Sequence, residues 1–250
     1  MTIASLNLLL DYNATDPNEP SPMPNKELRP VKRSNLSETV YSEIRNALME
    51  GQYEPGERLR INSLAVELGV SITPVREAIF RLVSDQALEM KAATAIHVSQ
   101  ITVDQLREIQ AIRILLEGYA AEIACQVATA DDYEKLAAIH KKFQETAQSD
   151  PIKASALNRK FHFGLMRIAK LPVIFATVEN MWVIMGPLLR VFHQSSHFKS
   201  QPSDRHLHLE VLEALKIGDS DLTKKAIQDD IRLGLNLVDW IEEHAAEHTK

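Results

Sequence analysis

Cysteine is nearly missing from this chain: Cys125 is the single one among 250 residues. An intramolecular disulfide is excluded, so folding must rely on packing, and a lone thiol suits a reducing cytoplasm. Glycine is also scarce, with eight residues, which argues against a glycine-rich β architecture and for helices. No apolar run approaches the length expected of a bilayer-crossing helix. The SLNLLL stretch near the start is too short, and too poor in flanking positive charge, for a signal peptide. These absences point to a soluble, cytoplasmic protein with no membrane partner. An excess of positive charge is missing as well. The net charge is −6, and residues 35–99 carry six Lys or Arg against nine Asp or Glu. Nucleic-acid-binding domains are usually basic, so composition alone speaks against such a partner.

What remains is ordinary for a globular protein of one or two domains, 45% hydrophobic and 25% charged. Residues 1–34 include DPNEPSPMPN and read as a disordered arm. Its basic run NKELRPVKR either touches nucleic-acid phosphates or is a solvated tail. LSETVYSEIRNALMEG then places Leu36, Val40, Ile44 and Leu48 on one helical stripe, with Gly51 as its stop. A turn around Pro55 and Gly56 leads to LAVELGVSITPVREAIFRL. Here Leu64, Ala65 and Leu68 form an apolar face, and Gly69 supplies a left-handed helix end. Ser71 or Thr73 can cap the next helix, and Pro74 fits its first turn. Val75, Ala78, Ile79 and Leu82 turn inward, leaving Ile72, Thr73, Arg76 and Phe80 on other sides. Two short helices joined by such a turn make either a helix-turn-helix, with Arg76 aimed at a guanine edge or a phosphate, or a plain helical hairpin. Segments 88–91 and 95–98 predict a hairpin, the wing of a winged helix.

From Ile101 onward the pattern is helical. VDQLREIQAIRILLEGYAAEIACQVA is apolar on nearly every side and predicts a central, buried helix. Further helices are predicted over 131–148, 152–169, 172 to about 197, 203–217 and 221 to about 244, separated by SDP, LP, QPSD and GDSD. Domain organisation is therefore an arm at 1–34, a winged helix-turn-helix at 35–99 and an all-α bundle of six or seven helices at 100–250. Within that bundle, spacing sets polar groups on inward faces. His208 shares a stripe with Val211, Leu212 and Leu215, and Asp230 shares one with Ile227, Gly234 and Leu237. Asn158 and His162 lie four apart, in line with Leu165 and Ala169. Such groups must be hydrogen-bonded or bind an ion. Two histidines and a carboxylate suit a divalent metal (Zn, Ni, Fe or Mn), while a His–Asp hydrogen-bond network would satisfy them equally. Arg113 either clamps an organic acid or pairs with Glu117, four residues on. His193 and His197 are also four apart and read as rim or surface residues.

The motifs carry a resemblance. The helix followed by PGERL, LAVELGVS and TPVREA is similar to the winged helix of GntR-type transcription regulators. AIRILLEGYAA, FHFGLMRIAKLPVI and HLEVLEALKIGD resemble the FadR-type effector domain known as FCD. The resemblance implies a repressor that binds a short palindromic DNA operator as a homodimer and is released by a small carboxylate metabolite. It also implies that Arg76 contacts DNA, with Ser71, Thr73, Ile72 and Asn62 beside it, while Lys91 and His97 either touch DNA from the wing or are ordinary solvated wing residues. Ile72 stands where relatives commonly have a base-reading arginine, and Asn62 where a charge can stand. An apolar Ile72 contacts a thymine methyl but cannot read guanine. The family's metal positions fall on Asn158, His162, His208 and Asp230, and its pocket arginine on Arg113. Asn158 is a poor ligand, which leaves two histidines and one carboxylate. Two competing readings are a metal-dependent enzyme with an appended DNA-like domain, and an effector-binding module without tight DNA binding.

Overall fold

The computed structural model describes residues 36–91, 95–147, 149–194, 207–234 and 238. The basic arm and His197 lie outside them, as do Leu237 and the ends predicted for the helices around 197, 203 and 244. The first helix, α1 (Leu36–Met49), buries Val40, Ile44 and Leu48 against α3. After a turn come the two-residue strand β1 (Arg58–Leu59), α2 (Ile61–Glu67) and α3 (Ile72–Ser84). Strands β2 (Leu88–Lys91) and β3 (Ala95–Val98) fall on the two segments that predicted the wing. They form a three-stranded antiparallel sheet in the order β1-β3-β2, with Arg58 and Glu89 both opposite His97. The strand β1 was not anticipated, because two residues are too few to show a period.

The joint between α2 and α3 follows from its sequence. Gly69 takes φ +64°, a conformation costly for a side chain with Cβ. Its N–H bonds Val66 O at 3.2 Å and the Val70 N–H bonds Ala65 O at 3.0 Å, the paired closure of a Schellman turn. Ser71 occupies the N-cap of α3, but its hydroxyl makes no capping bond, contrary to expectation.

The bundle comprises α4 (Val103–Val127), α5 (Ala130–Thr146), α6 (Pro151–Ala169), α7 (Pro172–Gln194), α8 (His208–Ile217) and α9 (Ser220–Leu233). Thr102 and Thr129 open α4 and α5 with reciprocal capping boxes, and Asp150 and Asp219 cap α6 and α9. Helix α4 packs against α9, α6 and α7, and α5 covers α6 and α8. Two expectations need correction. Helix α4 is not apolar-buried all round: its inward face holds Gln110, Arg113 and Glu117, while Leu115 is 67% exposed, with Ile112 and Tyr119 exposed beside it. And one helix is long and apolar enough to cross a membrane by length and composition, over Pro172–Phe192 of α7. In this fold α7 packs against α1, α4 and α6 and buries Val178, Trp182, Val183 and Met185.

Helix α7 is also where the bundle grips the winged helix. Arg45 pairs with Glu179 at 2.7 Å, and the Asn180 amide donates to Asp85 O at 3.0 Å. Gly186 lets the end of α1 come close, since a Cβ there would sit 2.2 Å from Leu48 O. Both sides of that contact are backbone and cannot move aside cheaply. Gly186→Ala should therefore destabilise the protein by about 1–3 kcal/mol or more through overpacking. Urea unfolding checks this, and an unchanged midpoint would refute the close contact.

Candidate functional site

Two polar regions stand out, one outside and one inside. On the outside, α3 is anchored by Val75, Ala78, Ile79 and Leu82, all fully buried. Its opposite face carries Ile72, Arg76 and Phe80 one turn apart, with Ile72 42% and Phe80 48% exposed. Arg76 is exposed, and among the described residues it makes no hydrogen bond or ion pair. Ser71 and Thr73 are exposed at the helix start, and Asn62 on α2. A convex helix with a free guanidinium near its N-terminus has the form required to enter a major groove.

The wing residues are less available. Lys91 is tied to Glu89 at 2.7 Å, and His97 donates from Nδ1 to Gly56 O at 3.0 Å. His97 thus braces the turn before β1. Arg58 and Arg60, passed over in the sequence, are exposed on β1 and at the start of α2 without ion pairs among the described residues. Their signal lay in the ERLR run, read only as a turn.

Inside the bundle, α4, α6 and α9 bring four ionisable groups into one chain. Arg113 Nε donates to Glu117 Oε1 at 2.7 Å, so the internal pairing is made. His162 Nδ1 donates to Glu117 Oε2 at 2.6 Å, and its Nε2 faces Asp230 Oδ2 at 3.1 Å. Asp230 Oδ1 accepts the Leu207 N–H at 2.8 Å, holding the start of α8. His208 Nε2 donates to Asn158 Oδ1 at 2.8 Å, and its ring stacks on Phe161 with centroids 4.0 Å apart. Burial works against the His162 cation, but Glu117 and Asp230 outweigh it and push its pKa up to about 9. Burial likewise works against the Glu117 carboxylate, and Arg113 with His162 holds it below the ordinary range.

These residues also fit a metal ion. The ligand atoms of His162, His208 and Asp230 lie within 4.8 Å of one another, all three residues buried. Two donors each about 2.1 Å from one ion sit roughly 3 Å apart, close to the separation of His162 Nε2 and Asp230 Oδ2. Glu117 on Nδ1 fixes the imidazole as outer carboxylates do for ligating histidines. An ion there would take the place of the His162 Nε2 proton.

Trp182, which the sequence reading passed over, completes the cluster. The Arg113 guanidinium lies 4.3 Å from the centroid of its ring, and the His162 ring 5.8 Å away. Its indole N–H is buried without a hydrogen-bond partner among the described residues. An aromatic within an apolar helix gives no spacing signal for that donor. The side chains of His193 and His197 lie outside the described residues.

A winged helix with one outward arginine-bearing helix, joined to a helical bundle around a polar cluster, is the plan of a DNA-binding regulator with a sensory domain. Residues 36–98 match the family of bacterial regulatory proteins called gntR, and residues 108–233 match the FCD domain. The transcriptional regulator McbR of Escherichia coli is 33% identical over 76% of this chain and 87% of its own. A probable D-xylose utilization operon repressor of Paenarthrobacter nicotinovorans is 27% identical over 76% of this chain and 84% of its own. The solved structure of E. coli McbR/YncC superposes with a TM-score of 0.74 at 28% identity, covering 82% of this chain and 98% of that one. A putative GntR regulator from Rhodococcus has the same fold, with a TM-score of 0.66 at 17% identity over 82% of this chain and 98% of its own. The chain belongs to the GntR family and carries an FCD domain. It is a transcription regulator and not an enzyme, which sets aside the metal-dependent enzyme.

The buried chain yields a test. Glu117→Gln leaves Arg113 and His162 without their shared counter-charge and should cost about 3–5 kcal/mol in urea unfolding. In the metal-free protein the His162 contribution is complete below its ordinary pKa of 6.5 and is lost as pH rises through about 9. Unfolding midpoints that stay flat across that window in wild type, or survive Glu117→Gln, would contradict the pairing.

Proposed function

We propose that this regulator is a repressor released by a small carboxylate metabolite bound in the bundle. The buried, unsatisfied Trp182 N–H beside Arg113 carries the reading, because buried donors are normally paired and a ligand carboxylate would supply the acceptor. Arg113 spends Nε on Glu117 and keeps further donors for the same ligand. We assign His162, His208 and Asp230 to a divalent ion (Zn, Ni, Fe or Mn), with Asn158 holding His208 in place. Bound there, the ion would add positive charge toward which an organic acid is drawn. Release from DNA requires the metabolite to bind the free and DNA-bound arrangements with different affinity. The protein acts in the cytoplasm, where DNA and metabolite meet.

The exposed row Ile112, Leu115 and Tyr119 on α4 supports a homodimer, since one helix face seldom leaves such side chains in water without a partner. A two-fold dimer matches a palindromic operator. Leu115→Glu should convert the dimer to a monomer in light scattering, and an unchanged mass would place the interface elsewhere.

A gel shift with DNA upstream of its own gene tests the function. Retention should be sequence-specific and weaken with salt. Arg76→Ala should reduce it by about 1–3 kcal/mol, roughly 5- to 150-fold. Elemental analysis of the same preparation should find about one ion per chain, lost in His208→Ala. Equal retention of wild type and Arg76→Ala would instead favour an effector module without tight DNA binding.

A further inference from the structure

The end of α1 meets α6 and α7 across a cleft of about 320 Å³, the size of a small-molecule site. Arg159, Arg190 and Lys153 line it, with Glu50, Gln52 and Ser155. Arg159 Nη1 donates to Met49 O at 2.8 Å, and Arg190 Nη1 to Gly51 O at 2.9 Å. A guanidinium has five N–H donors, so one such bond leaves most of its capacity unused. Among the described residues no carboxylate forms an ion pair with either arginine or with Lys153. Glu50 and Asp150 also line the cleft and keep their charge, Asp150 accepting the Lys153 backbone N–H at 3.0 Å and Glu50 accepting from Gln52 at 3.0 Å. The three cations outnumber the two acids and leave the lining net positive. Burial depresses the Arg159 guanidinium, with Glu50 opposing that shift. Two half-buried guanidiniums beside an ammonium, around a space of metabolite size, are arranged for an anion.

We propose that this cleft binds a small phosphoryl metabolite, at a site separate from the bundle cluster. Three cationic groups favour a phosphoryl dianion, whose oxygens accept from each, over a carboxylate with two acceptor atoms. The ligand would join the end of α1 to α6 and α7 and so act on the placement of the winged helix. The site does not depend on the carboxylate reading of the bundle.

Calorimetric titration of the full chain with pyrophosphate tests it, with inorganic phosphate as the smaller probe. Saturable binding of one pyrophosphate per chain is expected, weakened at least tenfold by Arg190→Gln and by Lys153→Glu and unchanged by Arg76→Ala. Lys153 is exposed, so its variant decides the matter should Arg190→Gln fail to fold. No saturation, equal binding by Lys153→Glu, or loss in Arg76→Ala alone would overturn the site, the last by placing the anion on the DNA-facing helix.

Discussion

The bundle depends on keeping four ionisable groups out of water together. Arg113, Glu117, His162 and Asp230 come from three helices, each 5% exposed or less. In a medium of low polarity none can be charged alone, so each fixes the position of the next. Helix α4 must present Arg113 and Glu117 inward, α6 must turn His162 between two carboxylates, and α9 must bring Asp230 within reach. This requirement also explains the inverted look of α4. Much of its inward face is taken by polar side chains and by small residues such as Gly118, Ala120 and Ala121, while Ile112, Leu115 and Tyr119 are left outside.

The winged helix is built on the opposite plan. Its interior is aliphatic, and its charges lie on the surface, many already paired. Arg81 is bound to Glu38 and stacks on Tyr41, Tyr41 donates to Asp85, and Lys91 meets Glu89. The acidic balance of this region is therefore partly cancelled by local pairing. Arg76 keeps its charge for a partner because the residues one turn away on its face, Ile72 and Phe80, are apolar. A small number of unpaired cations in the right place matters more to recognition than net charge.

Much of this was legible in the sequence for identifiable reasons. The starts of α6 and α9 were readable from SDP and GDSD, where Asp150 and Asp219 cap them, and the wing from two short β-capable segments, whereas the caps at Thr102 and Thr129 went unread. The inward polar groups His162, His208 and Asp230 were visible because they interrupt apolar stripes. What stayed hidden depends on tertiary contact. Trp182 looks like any core aromatic until Arg113 lies over it. The overall apolarity of α7 escaped notice because Glu179, Asn180 and Pro187 break the apolar run, while the average over 172–192 remains high. The burial of α4 was overestimated because composition cannot say which side of a helix is covered. The Arg159 and Arg190 contacts join positions more than a hundred residues apart, and no local pattern announces them.

Helix α6 serves two masters at adjacent residues. Asn158 holds the imidazole of His208, while Arg159 grasps the last carbonyl of α1. Successive side chains on a helix point about 100° apart on one stiff rod. The helix cannot roll to favour one neighbour without dragging on the other, as turning a key moves both bit and bow. Mutations that refine the grip on His208 are thus weighed at the same moment by their effect on the hold over α1, and the two can drift in evolution only as a pair.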